Sequence, residues 1–357
     1  MSKTETIVFT GGGTAGHVVV NLALMPEFIE EGYDIHYIGS YEGIERELIE
    51  GMDGVTYHGI ATGKLRRYMS LENMKDPFRV LKGLFQARQL LKKLKPKMVF
   101  SKGGFVSVPV VMASRLTGVP SIIHESDYTP GLANKIASNF AKYVLTTFPE
   151  TDRHLPEKKT VNIGAIVRNE LFEGDPDKAA QFTGLNKDQP TLLVMGGSAG
   201  AQSINQAVRD ALPQLLKHYQ VVHLCGKGKY DEQVKQPGYV QYEYVTDELK
   251  DLLAMSDLVV SRAGANSIFE FLALRKPMVL IPLSKQASRG DQLLNAESFK
   301  KRGYADVLED ESVNDSTLTE AVDQLYSQKE HYHDNMTSYQ PKQTKEDVIN
   351  MIKRTMK

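Results

Sequence analysis

The chain has 357 residues, 41% hydrophobic and 24% charged, which is room for two domains and the composition of a soluble globular protein. A net charge of −1 gives no whole-chain attraction to nucleic acid, so none is expected as a partner and any basic patch must be local. The single cysteine, Cys225, excludes an intrachain disulfide, and the longest apolar runs, such as Met278–Leu283, fall far short of the ~20 residues a membrane-spanning helix needs.

The start, MSKTETIVFTGGG, goes straight into a strand at Ile7–Thr10 instead of a secretory signal, so the expected location is the cytoplasm or the cytoplasmic face of a membrane. A glycine loop, Gly11–His17, leads into a helix from about Val18 to Glu31 and a second strand at Tyr33–Ile38. Short strands alternating with helices predict a parallel sheet covered on both faces. Further on, Lys64–Lys97 is the most basic part of the chain, with eleven Lys and Arg against only Glu72 and Asp76. Within it, Val80, Leu84, Ala87, Leu91 and Leu94 predict a helix whose stripe packs on a core. The stretch Lys64–Phe78 mixes Arg66 and Arg67 with Leu65, Tyr68 and Met69, a composition suited to an anionic membrane surface.

The pattern then restarts. GGTAG at Gly12 is echoed by GGSAG at Gly196, PKMVFSKGG by SDLVVSRAG, VPSIIHE by KPMVLIP, and GLANKIASNFAK by QLLNAESFKKRG. Four landmarks in one order predict two similar doubly wound halves. Gly12 to Ser101 spans 89 positions and Gly196 to Ser261 spans 65, so the first half carries 24 more, and the basic stretch lies among them. The boundary is expected near Gly164–Arg168. The polar tail from about Asp323 is interrupted at Pro341, and its last part is expected to pack back on the first half.

In open parallel sheets, ligands sit beyond the carboxyl ends of the strands. There the stretch Ser256–Glu270 reads as a buried strand (Leu258–Val260), a small-residue turn (Ala263–Ala265) and a helix capped by Asn266 or Ser267. Backbone N–H groups at such a helix start favour a phosphate, and Glu270, one turn in, could accept hydrogen bonds from a ribose diol. The competing reading is an ordinary α/β connection with a solvated glutamate.

These residues, in this order, resemble the MurG family of bacterial glycosyltransferases. The resemblance covers nearly the whole chain and is carried by GGGTAGH, FSKGGFVSVP, HESDYTPGLANK, GGSAGAQSIN, SRAGANSIFE and SRGDQLLNA. It implies an α/β architecture of two Rossmann-like doubly wound domains facing across a cleft, the glycosyltransferase B fold. Residues 1–164 would be the acceptor and membrane-side domain, 165–340 the UDP-sugar domain, and 341–357 a C-terminal helix. The implied reaction is inverting transfer of N-acetylglucosamine from UDP-N-acetylglucosamine to the muramyl 4-hydroxyl of lipid I, giving lipid II for peptidoglycan. The protein would act as a peripheral protein on the cytoplasmic side of the cell membrane, alongside other cell-wall or division proteins. No cofactor is implied, and no metal held by a DxD-type motif.

The alcohol acceptor needs a base, and His17 is the candidate, the competing reading being a loop histidine that bonds a neighbouring backbone group. His124 and Glu125 are the reserve. By the resemblance Thr14, Ala15 and Gly16 approach the donor, and Arg168 contacts it. Ser198 and Ala265, Asn266 and Ser267 face the diphosphate, and Val245 reads the uracil through its backbone. Glu270 takes the ribose and Gln292 the sugar. Two positions depart from the pattern: Asp127 replaces the asparagine of an HEQN run, and Asp291 precedes Gln292 where some relatives have paired glutamines. A UDP-N-acetylglucosamine 2-epimerase, a nicotinamide-dependent oxidoreductase and a non-catalytic nucleotide-sugar sensor are the rivals. The basic apolar insertion argues against the epimerase, the lack of an early GxGxxG with its ribose acid against the oxidoreductase, and a base at His17 against the sensor.

Overall fold

The computed structural model describes residues 4–63, 76–197, 200–285, 290–340 and 343–356. The chain divides into two compact units, Met1–Ile166 with Pro341–Lys357, and Val167–Gln340.

In unit 1 the described residues form a seven-stranded, all-parallel sheet of order β3-β2-β1-β4-β5-β6-β7, from β1 (Thr6–Thr10), β2 (Asp34–Ser40), β3 (Val55–Ile60), β4 (Met98–Ser101), β5 (Ser121–Glu125), β6 (Tyr143–Thr146) and β7 (Thr160–Asn162). Side chains of β1 alternate between two cores. Ile7 and Phe9 join Leu24 and Phe28 of α1 (Val19–Glu30), while Val8 joins a cluster on the other face. That second face is covered by α3 (Asp76–Leu94) through Ala87 and Leu91, and by α4 (Ser107–Thr117) through Val110 and Ala113. The expected stripe on α3 therefore packs inward. Its other face leaves Phe78, Leu81 and Phe85 in solvent, 74%, 50% and 66% exposed. The unit is completed by α2 (Ile44–Ile49) and α5 (Leu132–Ala137).

Unit 2 repeats the winding. Here α6 (Pro176–Thr183) precedes β8 (Thr191–Met195), and α7 (Gln202–Leu215) joins β8 to β9 (Gln220–Leu224). Next come β10 (Tyr239–Tyr242), α8 (Leu249–Met255), β11 (Leu258–Ser261), α9 (Ala265–Ala273), β12 (Met278–Leu280), α10 (Asp291–Lys301) and β13 (Ala305–Val307), then α11 (Asp315–Ser327) and α12 (Lys329–Thr337). The parallel sheet runs β10-β9-β8-β11-β12-β13, the order of the first six strands of unit 1. Both are the doubly wound order, with a switch point beside the first strand. The extra length of the first half lies between β3 and β4, in residues 61–97, where α3 is longer than its counterpart α8; residues 41–54, which carry α2, are matched in number by 225–238.

The last helix, α13 (Lys345–Met356), belongs to unit 1. Val348, Ile349 and Ile352 are part of the same core as Ile7 and Phe9, and Lys345 and Lys353 pair with Glu27 and Glu31 at the end of α1. Among the described residues no helix is long and apolar enough to cross a membrane.

One local expectation is corrected. Helix α9 begins at Ala265, so Asn266 and Ser267 lie inside its first turn and neither caps it; Gly264, extended at φ −69° and ψ 129°, is the cap residue. A Cβ at Gly264 would meet open space and its φ is an ordinary one, so the position serves as a cap without any steric need for glycine.

Candidate functional site

In unit 1 the loop after β1 is Gly11–His17. Ala15–His17 forms a single 3-10 turn, with Thr14 extended before it and its Oγ1 3.0 Å from His17 Nδ1. Thr14 is exposed, and Ala15, Gly16 and His17 are half-buried. The loop rests on a neighbour of the same rim: Gly12 N donates to Gly103 O at 3.2 Å, and a Cβ on Gly104 would lie 2.0 Å from Gly12 O. Beneath it lies Glu45 from α2, 1% exposed. Its carboxylate accepts from Gly13 N (3.0 Å), Ser40 N (3.0 Å) and Ser40 Oγ (2.5 Å). Burial alone raises such a carboxyl, but the bonds from Ser40 and Gly13 outweigh it and hold Glu45 below its ordinary value.

At the ends of β4 and β5 a second group gathers. His124 and Glu125 are 1% and 4% exposed. Glu125 Oε1 accepts from Asp127 N (3.0 Å), and Oε2 accepts from Gly131 N and Asn134 Nδ2 (both 2.9 Å). Both oxygens are thus engaged in holding the loop that leads to α5. Burial and the neighbouring Asp127 push the Glu125 carboxyl up, against the pull of Lys102. Lys102 is itself buried and donates from Nζ to Ser126 Oγ at 2.8 Å. Burial, with Lys102 adding to it, holds His124 well below the usual imidazole range and therefore neutral. Its Nε2 lies 3.2 Å from Thr147 Oγ1, and its Nδ1 has no partner among the described residues.

In unit 2 the structure brings Arg168 and Glu270 together. Arg168 Nε donates to Glu270 Oε1 at 3.0 Å, and Arg168 Nη1 donates to Glu170 Oε1 at 3.2 Å. Glu270 is 8% exposed, and burial raises its carboxyl against the lowering by Arg168. Ala265, Asn266 and Ser267 form the first turn of α9, whose N–H groups precede the hydrogen-bonded ladder. Val245 is buried between β10 and α8. Gln292, in the first turn of α10, accepts from Leu283 N through Oε1 at 3.0 Å. Ser198, and Lys64–Lys75 of the basic stretch, lie outside the described residues.

Two features, one in each unit, escape local sequence reading. One is Glu45, whose signal was only an acid soon after the second strand. The other is Arg262, directly after β11, whose guanidinium reaches three neighbouring segments; a cation at the end of a buried strand was the available signal. Among the described residues no cluster of His, Cys, Asp or Glu suits a metal ion.

Comparison with known proteins is consistent along the chain. Residues 7–146 match the glycosyltransferase family 28 N-terminal domain and residues 191–352 its C-terminal domain. A protein of Oceanobacillus iheyensis is 57% identical over 357 residues, 100% of both chains. One of Geobacillus thermodenitrificans is 56% identical over 352 residues, 98% of this chain and 99% of that one. Both carry the name UDP-N-acetylglucosamine--N-acetylmuramyl-(pentapeptide) pyrophosphoryl-undecaprenol N-acetylglucosamine transferase. Among solved structures, Acinetobacter baumannii MurG superposes with a TM-score of 0.76 at 23% identity, covering 99% of this chain and 100% of that one. The kitacinnamycin glycosyltransferase does so with the same TM-score at 16% identity, with the same coverage. The structural likeness gives the glycosyltransferase B fold, and with both domain models matched and relatives more than half identical from end to end, the chain belongs to glycosyltransferase family 28 and, within it, to the MurG family that its sequence resembles.

Proposed function

We propose that the protein moves N-acetylglucosamine from UDP-N-acetylglucosamine to the muramyl 4-hydroxyl of lipid I, producing lipid II with inversion at the anomeric carbon. The observation that carries this reading is the 57% identity, along the full length of both chains, to a transferase named for that donor and acceptor. Such names support a transferase, and the 2-epimerase reading is set aside.

In the proposed reaction the acceptor oxygen attacks the anomeric carbon from the face opposite UDP. A carbon–oxygen bond forms as the bond to the diphosphate breaks, and UDP leaves with the electron pair. His17 takes the hydroxyl proton. If its Nδ1–H donates to Thr14 Oγ1, the lone pair falls on Nε2, the form a base requires. Glu125 is the weaker choice, because both its oxygens already bind donors. In unit 2, Arg168, Glu270, Val245, Gln292 and the first turn of α9 hold the donor. N–H groups at that turn favour the charge gathering on the departing UDP, and Ser198 is assigned to the same role by the resemblance. Thr14, Ala15 and Gly16 approach the donor from unit 1, as the resemblance implies, and Asp127 is a further substrate contact on the loop after β5. The test is incubation with labelled UDP-N-acetylglucosamine, with and without lipid I. A labelled lipid-linked disaccharide is expected only with lipid I; release of free sugar or an epimer instead would sink the reading.

We further propose that the protein works at an anionic membrane surface, on its cytoplasmic side. Support comes from the spacing of Phe78, Leu81 and Phe85, which places them along one exposed stripe of α3 with Arg79 and Lys82 beside them. Binding to anionic vesicles should weaken as salt rises, and Phe78→Glu with Phe85→Glu should abolish it while sparing UDP affinity. Equal vesicle binding by parent and variant would refute the surface assignment.

A further inference from the structure

The rim of unit 2 is tied together by one buried guanidinium. Arg262 is 9% exposed and sits immediately after β11. Its Nη1 lies 2.8 Å from Asp310 Oδ1 and donates to Ile281 O at 3.1 Å; its Nη2 donates to Ser203 Oγ at 3.0 Å. Ser203 in turn donates its hydroxyl proton to Asp310 Oδ1 at 2.6 Å. The three side chains therefore close a triangle. Each hydrogen bond in it runs from donor to acceptor without conflict, since the serine accepts from arginine and donates to aspartate.

The triangle is placed where it matters for an anion. Ser203 lies in the first turn of α7, just after the Gly196–Ala201 loop, and Arg262 lies two residues before the cap of α9. Asp310 comes from the segment after β13, and Ile281 from the end of β12. The ends of β11, β12 and β13 and the start of the helix that follows β8 thus share one charge pair. Two helix starts locked at a fixed separation can receive a diphosphate without first being ordered, which leaves more of the interaction energy for binding.

We infer that Arg262 and Asp310, acting through Ser203, are positioning residues that set the diphosphate part of the donor site. The inference rests on the donor reading above. A purely structural role for the triangle would disturb every ligand of unit 2 alike. A role in holding the helix starts is specific to the phosphates, because uridine lacks them.

The test compares UDP and uridine binding by calorimetry in the full chain. Asp310→Asn keeps the shape but removes the charge, and is expected to weaken UDP about tenfold, the loss of about one net charge-assisted hydrogen bond. Uridine affinity should stay within about twofold of the parent, a shift well under one such bond. Donor KM should rise by the same factor as the UDP dissociation constant, with kcat at saturating donor nearly unchanged. Ser203→Ala, which leaves the ion pair intact, should give a smaller loss of the same kind, and it decides the matter if Asp310→Asn does not fold. The inference is overturned if the folded variants bind UDP like the parent, or if uridine loses as much as UDP. A parent that binds UDP no better than uridine would overturn the donor reading first and this inference with it.

Discussion

After β1 the chain turns through Gly11–His17 and meets a buried carboxylate; after β8 it turns towards Ser203 and meets a buried guanidinium. The two loops have nearly the same sequence, GGTAG and GGSAG, and stand at the same place in the same strand order. What differs is the side chain behind them. In unit 1, Glu45 takes up the Gly13 N–H and sets a negative charge under the loop. In unit 2 the charge of Arg262 is matched by Asp310, and the first turn of α7 is fixed through a serine hydroxyl. A loop whose N–H is already bound to a carboxylate is a poor cradle for an anion and a reasonable seat for a neutral hydroxyl. A glycine motif fixes the path of the backbone, while the groups behind it decide which ligand charge it tolerates.

Four measurements bear on that contrast, taken from the largest expected effect downward. His17→Ala should lower turnover by roughly 10²–10⁴-fold with UDP affinity intact; a fully active variant would remove the base from the unit 1 loop. Glu270→Ala should weaken UDP binding by roughly 1–3 kcal/mol, since it removes a carboxylate acceptor and leaves Arg168 without that partner. Unchanged UDP affinity would take Glu270 out of the unit 2 site.

The third concerns acid. His223 in unit 2 is fully buried between Tyr239 Oη and Asn205 Oδ1, each 3.0 Å away, and burial lowers it to about 3. Below its unfolded value the unfolded chain binds a proton that the folded one refuses. Stability from this group is therefore complete above about pH 6.5 and is lost as pH falls from there towards about 3, by ~1.4 kcal/mol per pH unit. Urea titrations of the parent and His223→Gln between pH 7 and 5 should show a shallower pH slope in the variant, and identical slopes would contradict the assignment. The smallest effect is expected of Glu45→Gln. All three neighbours of this carboxylate are donors, so an amide must turn its NH2 towards one of them, costing about 1 kcal/mol and a several-fold drop in kcat. UDP affinity should not move; if it falls with kcat, the bracing of the two loops is not separable in the way the comparison holds.

Much of the fold could be read from residues alone because its signals are local. Alternation along Ile7–Val8–Phe9, the stripe from Val80 to Leu94 and the repeated glycine turns each lie within a few residues. The bracing groups are not local. Glu45 is 32 positions from Gly13, and Asp310 is 107 from Ser203, distances at which no periodicity pairs them. Arg168 and Glu270 lie 102 positions apart: the local reading of Ser256–Glu270 reaches Glu270 as a ribose acid, Arg168 enters only through the family resemblance, and no local signal pairs the two. The cap of α9 escapes the sequence for a different reason. Asn266 and Ser267 have capping side chains, yet the helix starts as soon as the chain passes extended Gly264.

The return of α13 to unit 1 has a consequence for how the chain is made. Domains emerging from a ribosome usually fold in order from the N-terminus. Here Val348, Ile349 and Ile352 are core residues of the unit whose other elements are made before unit 2, so that unit waits with an uncovered apolar face until α13 has been made. Unit 2, closed at Gln340, can fold before it. A chain stopped at Gln340 should therefore keep a protease-resistant second unit and expose cleavage sites in the first. Early protection of residues 4–166 in such a truncated chain would show that the N-terminal core closes without its last helix. The unit expected to face the membrane would thus close after unit 2, and an aggregation-prone interval would last until α13 docks.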